Sequence, residues 1–466
     1  MSPALALAPR LAVERLRGTR GGAILDVLAV LAFTVSALLT LTVAGGTWMF
    51  VQRWRQPTEQ IHTALQLDAA TAEPLLEAYL VLAAVACALL VVPVLNLGAA
   101  AARLGARGRA RRLASLRLIG MSSAQVVTIS VVETLVQAAA GTLLGLGLWL
   151  VGLPVWQAVA FQGQHIGPGE LLLPWWLLLA VVVALLVLAA ASTAVGLQRV
   201  RISPLGVAAQ QTPRALRAWR LVAFLAAVIA FVVFGQLFAP HVMNVQLLVY
   251  AVVVAMILLV VAAVNLLGPW VLQLLARPAA VTGTVPRLIA MRRIIDDPRA
   301  AWRNVSGVAM LGMVSAFVAL LPTDPQFFGD DAGNLILARD LRTGVIITLA
   351  VGLVVAATST LINQAALVLD RSAESIALDA AGFPRRLFAA TRRRHVLMPL
   401  AVTLTVSVGV GLVLATPFLT VFRFEPSGVL LVAATVVAGL LLTLAAAEAC
   451  RPLQRTVLDQ THRRND

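Results

Sequence analysis

The chain has 466 residues, of which 60% are hydrophobic and only 12% are charged, and its mean hydropathy is +0.92. Because soluble domains carry about a quarter charged residues, this composition excludes an ordinary soluble protein. The net charge is +15, but all 36 basic residues are arginines and lie in short blocks between apolar runs, a membrane pattern that argues against a nucleic-acid partner. Without lysine the phosphate-binding loop GxxxxGK[ST] cannot form, so any ATP must be bound by another chain.

The first 22 residues carry four arginines and no apolar core, which predicts a cytosolic amphipathic segment instead of a signal peptide. Ten apolar stretches follow that are long enough to cross about 30 Å of hydrocarbon. The sequence therefore predicts an all-α polytopic membrane protein with about ten transmembrane helices. The predicted spans are 23–51, 75–102, 124–153, 171–197, 219–238, 246–276, 304–322, 343–369, 396–422 and 427–450.

Arginines are distributed unequally between the two sides that these spans define. The two termini and every second loop hold 31 of the 36 arginines, and the other loops hold five. Because cytosolic loops are enriched in basic residues, both termini are predicted to lie in the cytosol of a multi-pass protein. The opposite loops have at most about 22 residues, which is too short for a folded external domain.

The segment 109–121, between the second and third spans, has helical spacing of its apolar residues. Leu113, Leu116 and Ile119 recur at intervals of three, with arginines around them, which predicts a short amphipathic helix that ends at Gly120. Ser122 or Ser123 can then cap the next helix. Two functions are compatible with such a helix: docking of an ATPase, or contact with anionic lipid headgroups.

Similar elements recur in the second half of the chain. Pro9-Arg10-Leu11-Ala12 and Pro286-Arg287-Leu288-Ile289 each precede a span within a predicted amphipathic helix, and the segment 374–383 occupies the place of 109–121. Two copies at matching places favour docking of an ATPase, because headgroup binding does not require a second copy. Spans one to four and seven to ten are thus predicted to be repeats with two central helices between them. The predicted division is 1–22 (amphipathic segment), 23–197 (first unit), 198–276 (linker and central helices), 277–450 (second unit) and 451–466 (cytosolic tail).

These segments resemble the FtsX-like (MacB-type) permeases of ABC transporters, in their ten-helix form without a large extracellular domain. The family pattern is approximately R-E-I-x-L-L-R-x-L-G-[AM]-S, followed by a glutamate and a glycine-rich helix. The second copy keeps Glu374, Leu378 and Gly382, and the sequence departs from the pattern at Arg112, Asp379 and His395. The first copy matches at Arg111, Leu113, Leu116, Arg117, Gly120, Met121, Ser122, Glu133, Gly141 and Gly145.

The resemblance implies a bacterial plasma-membrane permease that is not itself an enzyme. It implies two P-loop ABC ATPase subunits, which hold the ATP and Mg while this chain holds no cofactor, and a hydrophobic or amphipathic substrate that is exported or extracted. One ATPase is expected to dock at each coupling segment, and membrane lipid is expected to surround the chain. The predicted coupling residues are Arg112, Leu113, Leu116, Arg117, Gly120 and Met121 in the first unit and Glu374, Leu378, Gly382 and Phe383 in the second.

Polar and small residues within the spans are predicted to have structural roles. His395 directly follows Arg392-Arg393-Arg394, so Glu133, which occupies the equivalent place, is expected near the cytosolic boundary, in an ion pair more readily than in a proton relay. The arginine block itself is expected to be a topology signal or a lipid contact. Gly141, Gly145, Gly409 and Gly411 are expected to let helices pack closely.

Two alternatives to an ABC permease remain open on the sequence alone. An ion-coupled secondary transporter would need a polar site near the middle of the bilayer, for which Asn363, Gln364 and Glu133 are the candidates. A membrane scaffold without transport would need no such site. The five scattered histidines and the two cysteines suggest neither a metal site nor a disulfide.

Overall fold

The structure is a computed structural model that describes residues 20–65, 69–118, 122–202, 218–238, 247–281, 283–320, 332–416 and 426–462. The described part is helical except for one small β-hairpin, which agrees with the predicted all-α fold. The helices are α1 (Arg20–Arg55), α2 (Glu59–Leu65), α3 (Ala69–Leu118), α4 (Ser123–Trp156), α5 (Trp175–Ile202), α6 (Trp219–Phe238), α7 (Leu247–Ala279), α8 (Val285–Asp296), α9 (Pro298–Val318), α10 (Ala332–Asp370), α11 (Ser372–Ala380), α12 (Arg385–Ala415), α13 (Pro426–Ala449) and α14 (Arg451–His462). The hairpin strands are β1 (Ala160–Phe161) and β2 (Gln164–His165).

Nine of these described helices are long and apolar enough to cross a bilayer. The span predicted at 304–322 corresponds to α9, which has lower hydropathy because its first half carries Arg299, Arg303 and Asn304. Most of α9 is buried against α7, α10, α12 and α13. A helix that faces protein on all sides does not need the uniformly apolar surface that lipid demands.

In the first unit, α1 packs along both α3 and α4, and α5 contacts α3 and α4 from the other side. Glycines make the α1–α4 contact close: a Cβ added to Gly141 would lie 2.5 Å from Phe33 Cβ, and one added to Gly145 would lie 2.7 Å from the Thr34 carbonyl oxygen. These small residues therefore pack within their own unit.

The helices of the predicted second unit make corresponding contacts, with α9 in the place of α1. Helix α9 packs along α10 and α12, and α13 contacts α10 and α12. A Cβ at Gly411 of α12 would lie 2.9 Å from Ala316 Cβ on α9. Gly409 differs, because a Cβ there would meet no atom within 4 Å, so Gly411 and not Gly409 allows the close approach.

The two units meet where α3 packs against α10, and the central helices lie beside this interface. Helix α7 contacts α3 and α9, and α6 packs on α7. The Trp302 indole N–H donates to Asn265 Oδ1 at 3.0 Å, which joins α9 to α7. This is the interhelical role expected for a single amide in an apolar helix.

The helix that contains the first predicted coupling segment differs from the prediction. Instead of a separate short helix over 109–121, α3 continues without a break to Leu118 and has 50 residues. A length of about 75 Å follows from the helical rise, so α3 extends well beyond about 30 Å of hydrocarbon. The alanine, arginine and leucine residues of this stretch favour helix, and no proline after Pro93 interrupts it.

The boundary of the next helix was predicted correctly. Ser122 caps α4: its hydroxyl accepts from the Gln125 N–H at 3.3 Å, and the Gln125 side chain accepts from the Ser122 N–H at 2.9 Å. The amphipathic helix expected over 286–299 is α8, which Asp297 separates from α9. Residues 9–19 of the equivalent first segment lie outside the described residues.

Candidate functional site

A cavity of about 320 Å³ lies between the two units. We call it the chamber. Its walls come from α1, α3, α7, α9 and α10, and most of its lining side chains are apolar. The lining part of α1 is Thr42–Phe50, in the half of α1 that leads away from the arginine-rich segments. We call this the outer side of the protein and the arginine-rich side the inner side. The chamber therefore lies toward the outer side.

The loop between α4 and α5 contains the β-hairpin and contributes Phe161, Ile166 and Leu171 to the lining at the outer end of the chamber. We call this loop the cap. In this hairpin Ala160 pairs with His165 and Phe161 pairs with Gln164. Gln162 and Gly163 form the turn with φ values of 57° and 77°, as in the two-residue turns that match strand twist. A Cβ at Gly163 would lie 2.5 Å from Ala64 Cβ on α2, so glycine is needed for this approach as well as for the backbone conformation.

Arg53 at the end of α1 holds this loop in place. Its guanidinium is 3% exposed and forms a salt bridge of 2.6 Å with Glu170 Oε2. It also donates to the Phe161 carbonyl oxygen at 2.7 Å and to that of His165 at 3.3 Å. The planar guanidinium has enough donors for all three acceptors. Arg53 therefore connects α1 to the cap of the chamber.

A buried carboxylate joins the two units beside this cap. Asp340 of α10 is 5% exposed, lines the chamber, and accepts from the Tyr79 hydroxyl at 2.7 Å and from the Gln162 N–H at 2.5 Å. Both bonds go to Oδ2, and Tyr79 lies on α3 in the other unit. The Gln162 side chain is wholly buried, and neither of its amide atoms has a hydrogen-bond partner among the described residues.

Aromatic rings line the chamber next to this carboxylate. The Phe50 ring stacks on Tyr79 with centroids 5.7 Å apart and meets Phe161 edge to face at 5.4 Å. All three rings contribute to the chamber wall. The outer end of the chamber thus combines aromatic faces with one carboxylate.

The sequence analysis did not identify this outer site. In the sequence analysis, Arg53 and Arg339 were only two of the five arginines in the opposite loops, and Asp340 was not considered. A signal was nevertheless present, because Asp340 lies inside an apolar helix and Tyr79 is one of only two tyrosines in the chain. An ionisable residue in such a helix is a functional candidate by default.

The second predicted coupling segment is the separate helix α11 with the turn that follows it. The Phe383 N–H donates to the Leu378 carbonyl at 2.9 Å and the Gly382 N–H to that of Asp379 at 3.0 Å, which is a Schellman cap. Gly382 has φ 81°. The Phe383 and Phe388 rings meet edge to face at 5.0 Å, which fixes the start of α12.

Glu374 ties α11 to α8 and to Arg371, the residue between α10 and α11. Its Oε1 accepts from Arg293 of α8 at 2.8 Å, and its Oε2 lies 3.5 Å from Arg371, while 44% of its side chain stays exposed. Burial lowers the pKa of the Arg371 guanidinium, and the charge of Arg293 acts in the same direction. Glu374 opposes both effects together with Asp296 and Asp297, so three carboxylates offset the two close guanidinium groups.

The C-terminal helix α14 packs against α11 and touches α1. Leu453 and Leu458 are its buried residues, with 5% and 3% exposure. Arg392 is 6% exposed, bonds to Gln454 of α14 and lies 3.7 Å from Glu448. Arg393 pairs with Glu448 at 2.7 Å. The expectation that these arginines are topology signals or lipid contacts was therefore incomplete. Arg392 also binds α12 to α14, and Arg393 binds α12 to Glu448 of α13.

The first coupling segment is described less fully. Arg112, Leu113, Leu116 and Arg117 belong to the end of α3, and their side chains lie outside the described part. Gly120 and Met121 also lie outside the described residues. The coupling role of all six residues stays a prediction.

Glu133 and His395, which occupy equivalent places in the two predicted repeats, are both buried on the inner side. Glu133 is 5% exposed and His395 is 8% exposed. One turn beyond Glu133, the Gln137 amide donates to Asp26 Oδ1 of α1 at 2.8 Å. Asp26, which the sequence analysis did not single out, thus helps to join α1 to α4 beside the close glycine contact.

Comparison with known families gives one match in this chain. Residues 83–205 match the family model described as FtsX-like permease C-terminal. The matched stretch contains the inner part of α3, the whole of α4 and α5. Comparisons with curated proteins and with solved structures give no match.

Proposed function

We propose that this chain is an FtsX-like permease, the membrane subunit of an ABC transporter, and that it exports or extracts a hydrophobic or amphipathic substrate. The match of residues 83–205 to the FtsX-like family model supports this proposal. A separate P-loop ATPase hydrolyses the ATP. The observation that carries this proposal is the chamber, whose volume of about 320 Å³ and apolar wall suit a small amphipathic molecule.

The proposed coupling runs from the inner side to the chamber walls. Helix α11 directly follows α10, and Glu374 links it to Arg293 of α8, which leads through Asp297 into α9. Both α9 and α10 line the chamber. In the first unit, the coupling segment is the end of α3, and α3 lines the chamber itself. An ATPase docked on either segment would therefore act on a chamber wall through a rigid helix.

Closure at the outer side is proposed to depend on the Tyr79–Asp340 hydrogen bond. This bond joins α3 to α10, the two helices that continue toward the coupling segments. Movement of these helices apart breaks the bond and opens the outer end, while movement together restores it. The hairpin is fixed to α1 by Arg53. It covers the chamber when α3 and α10 are together and uncovers it when they move apart.

The assembly that we propose contains two ATPase subunits, one for each coupling segment, with ATP and Mg bound to them. The exposed face of α11 offers Glu374, Ala377 and Gly382 for docking. We place the chain in a bacterial plasma membrane with both termini in the cytosol, because the arginine distribution orients the inner side there. The division into two four-helix units is part of this proposal.

The test is purification of the tagged full chain from its native membrane in mild detergent, followed by mass spectrometry for P-loop proteins. We expect a stoichiometric ATPase with the wild type. In Ala377→Arg, where the change lies on the exposed face of α11, we expect at least about a tenfold loss of the ATPase, as long charged side chains block a close contact. Val285→Arg, at an exposed position of α8, is the matched control and keeps the ATPase.

An ion-coupled secondary transporter is the second candidate, and Asp340 is the observation that favours it. A buried carboxylate in a membrane helix is a common ion or proton site. Proteoliposomes distinguish the two functions. Uptake that needs ATP and the co-purified ATPase supports the permease, whereas uptake driven by a proton or sodium gradient without an ATPase overturns it.

A further inference from the structure

Arg53 and Asp340 have different kinds of partner at the outer end of the chamber. Arg53 and Glu170 neutralise each other at 2.6 Å. Asp340 has no salt bridge within 4 Å among the described residues, and the Tyr79 hydroxyl and the Gln162 N–H both contact its Oδ2. The charges of Arg53 and Arg339 act on Asp340, but neither arginine lines the chamber. Asp340 is therefore the one charged side chain in the described lining.

An apolar surrounding makes such a carboxylate sensitive to the charge of whatever enters the chamber. Removing a carboxylate from water is costly unless a positive group or hydrogen bonds compensate it. An anion beside Asp340 would add repulsion in a region of low dielectric constant. A cation would supply the missing ionic partner.

The aromatic rings point to the same kind of ligand independently. Phe50 contacts both Tyr79 and Phe161, and all three rings lie in the chamber wall that contains Asp340. The faces of aromatic rings attract cations, more strongly where water is excluded. The remaining wall, which includes Leu82, Phe317 and Val345, suits an apolar body.

We propose that the chamber binds an organic cation with an apolar body, whose positive centre pairs with Asp340 and lies against Phe50, Tyr79 and Phe161. This proposal rests on the proposed function, because it names the substrate class of the same chamber. Asp340 then selects ligands by their positive charge. The apolar walls select ligands that have a hydrophobic surface and do not require one particular shape.

The binding test uses two ions of the same shape and opposite charge, tetraphenylphosphonium and tetraphenylborate. Equilibrium dialysis against the full chain in nanodiscs of zwitterionic lipid measures both, with empty nanodiscs subtracted. We expect the cation to bind at least about tenfold more tightly than the anion, a factor that corresponds to about 1.4 kcal/mol. Equal binding, or tighter binding of the anion, overturns the proposal.

Two substitutions test whether Asp340 is the residue that selects the cation. Asp340→Asn keeps the shape of the side chain, and we expect it to weaken cation binding about tenfold and to remove the preference for the cation. Glu59→Gln, an equal change of charge at an exposed outer residue outside the chamber lining, leaves both affinities unchanged. A cation affinity that is the same in Asp340→Asn as in the wild type contradicts the proposal.

A second variant keeps the test informative if Asp340→Asn does not fold. Tyr79→Phe retains the ring and removes a hydroxyl that competes for the carboxylate. We expect it to bind the cation as tightly as the wild type or more tightly, whereas a tenfold loss would show that the hydroxyl and not the carboxylate holds the ligand.

Failure of this proposal is separable from failure of the proposed function. ATP-dependent transport of an uncharged lipophilic probe that Asp340→Asn does not change would leave the permease standing and refute the cation selection. Selective cation binding to a chain that recruits no ATPase would support the cation site and refute the ATP-driven mechanism.

Discussion

The outer end of the chamber and the α11 segment of the inner end are held in place by different kinds of contact. At the outer end, Arg53 and Asp340 are 3% and 5% exposed and bond to several partners at once. At the inner end, α11 is tied by Glu374, whose side chain is 44% exposed, and by a glycine cap. Buried charges are costly to leave without a partner, whereas exposed pairs contribute little. The outer end is therefore sensitive to single substitutions, whereas α11 can change its contacts at small cost.

The largest effect that tests this contrast is expected at Arg53. Arg53→Ala leaves Glu170 without its partner and frees the Phe161 and His165 carbonyl groups. The expected loss in the free energy of unfolding is roughly 3–5 kcal/mol. Arg293→Ala removes an equivalent arginine from the inner end, and its loss is expected to be about 1 kcal/mol or less. Thermal unfolding of both variants in the same detergent measures the difference, and equal losses would refute the contrast.

The next effect sharpens the comparison within one helix. A Cβ at Gly141 of α4 would lie 2.5 Å from Phe33 Cβ and 2.8 Å from the Val30 carbonyl oxygen, while a Cβ at Gly147 would meet nothing within 4 Å. Gly141→Ala is therefore expected to destabilise the protein by about 1–3 kcal/mol. Gly147→Ala gains helix propensity and is expected to be neutral or stabilising.

The measurement for these glycines is again thermal unfolding, with both variants in one detergent. If Gly147→Ala destabilised the protein as much as Gly141→Ala, the close α1–α4 contact would not be the cause of the effect.

A smaller effect is expected at the cap of α11. Gly382 has φ 81° and open space around the position of a Cβ, so Gly382→Ala suffers from backbone strain alone, at about 1–2 kcal/mol. Gly382→Asn tolerates this conformation better and is expected to lose less. The variants are compared by ATPase co-purification and by unfolding. A loss in Gly382→Asn as large as in Gly382→Ala would show that the cap conformation is not what matters.

The smallest effect is expected at Glu374. Glu374→Gln keeps the hydrogen-bonding shape and removes the charge that balances Arg293 and Arg371. The loss of stability is expected to be about 1 kcal/mol or less at low salt and smaller at high salt, because salt screens exposed charges. Unfolding at two salt concentrations checks this. A loss that did not change with salt would show that the pair is not electrostatic in origin.

Local features were predictable from the sequence where neighbouring residues determine them. Hydropathy located the long helices, and the serine after Met121 marked where α4 begins. The prediction was wrong where a local signal was weak or absent. Helix α3 continues to Leu118 because the arginine-rich stretch still favours helix, and the outer hairpin has strands of only two residues each.

The sequence by itself determined that this is a polytopic α-helical membrane protein, because about 20 consecutive apolar residues must form a helix to satisfy the backbone in lipid. It also placed the arginine-rich segments on one side. Only the tertiary structure decided that Tyr79 and Asp340, 261 residues apart, bond across the two units beside a chamber. Such a pair has no signal in sequence spacing, since the packing of α3 against α10 brings the two side chains together.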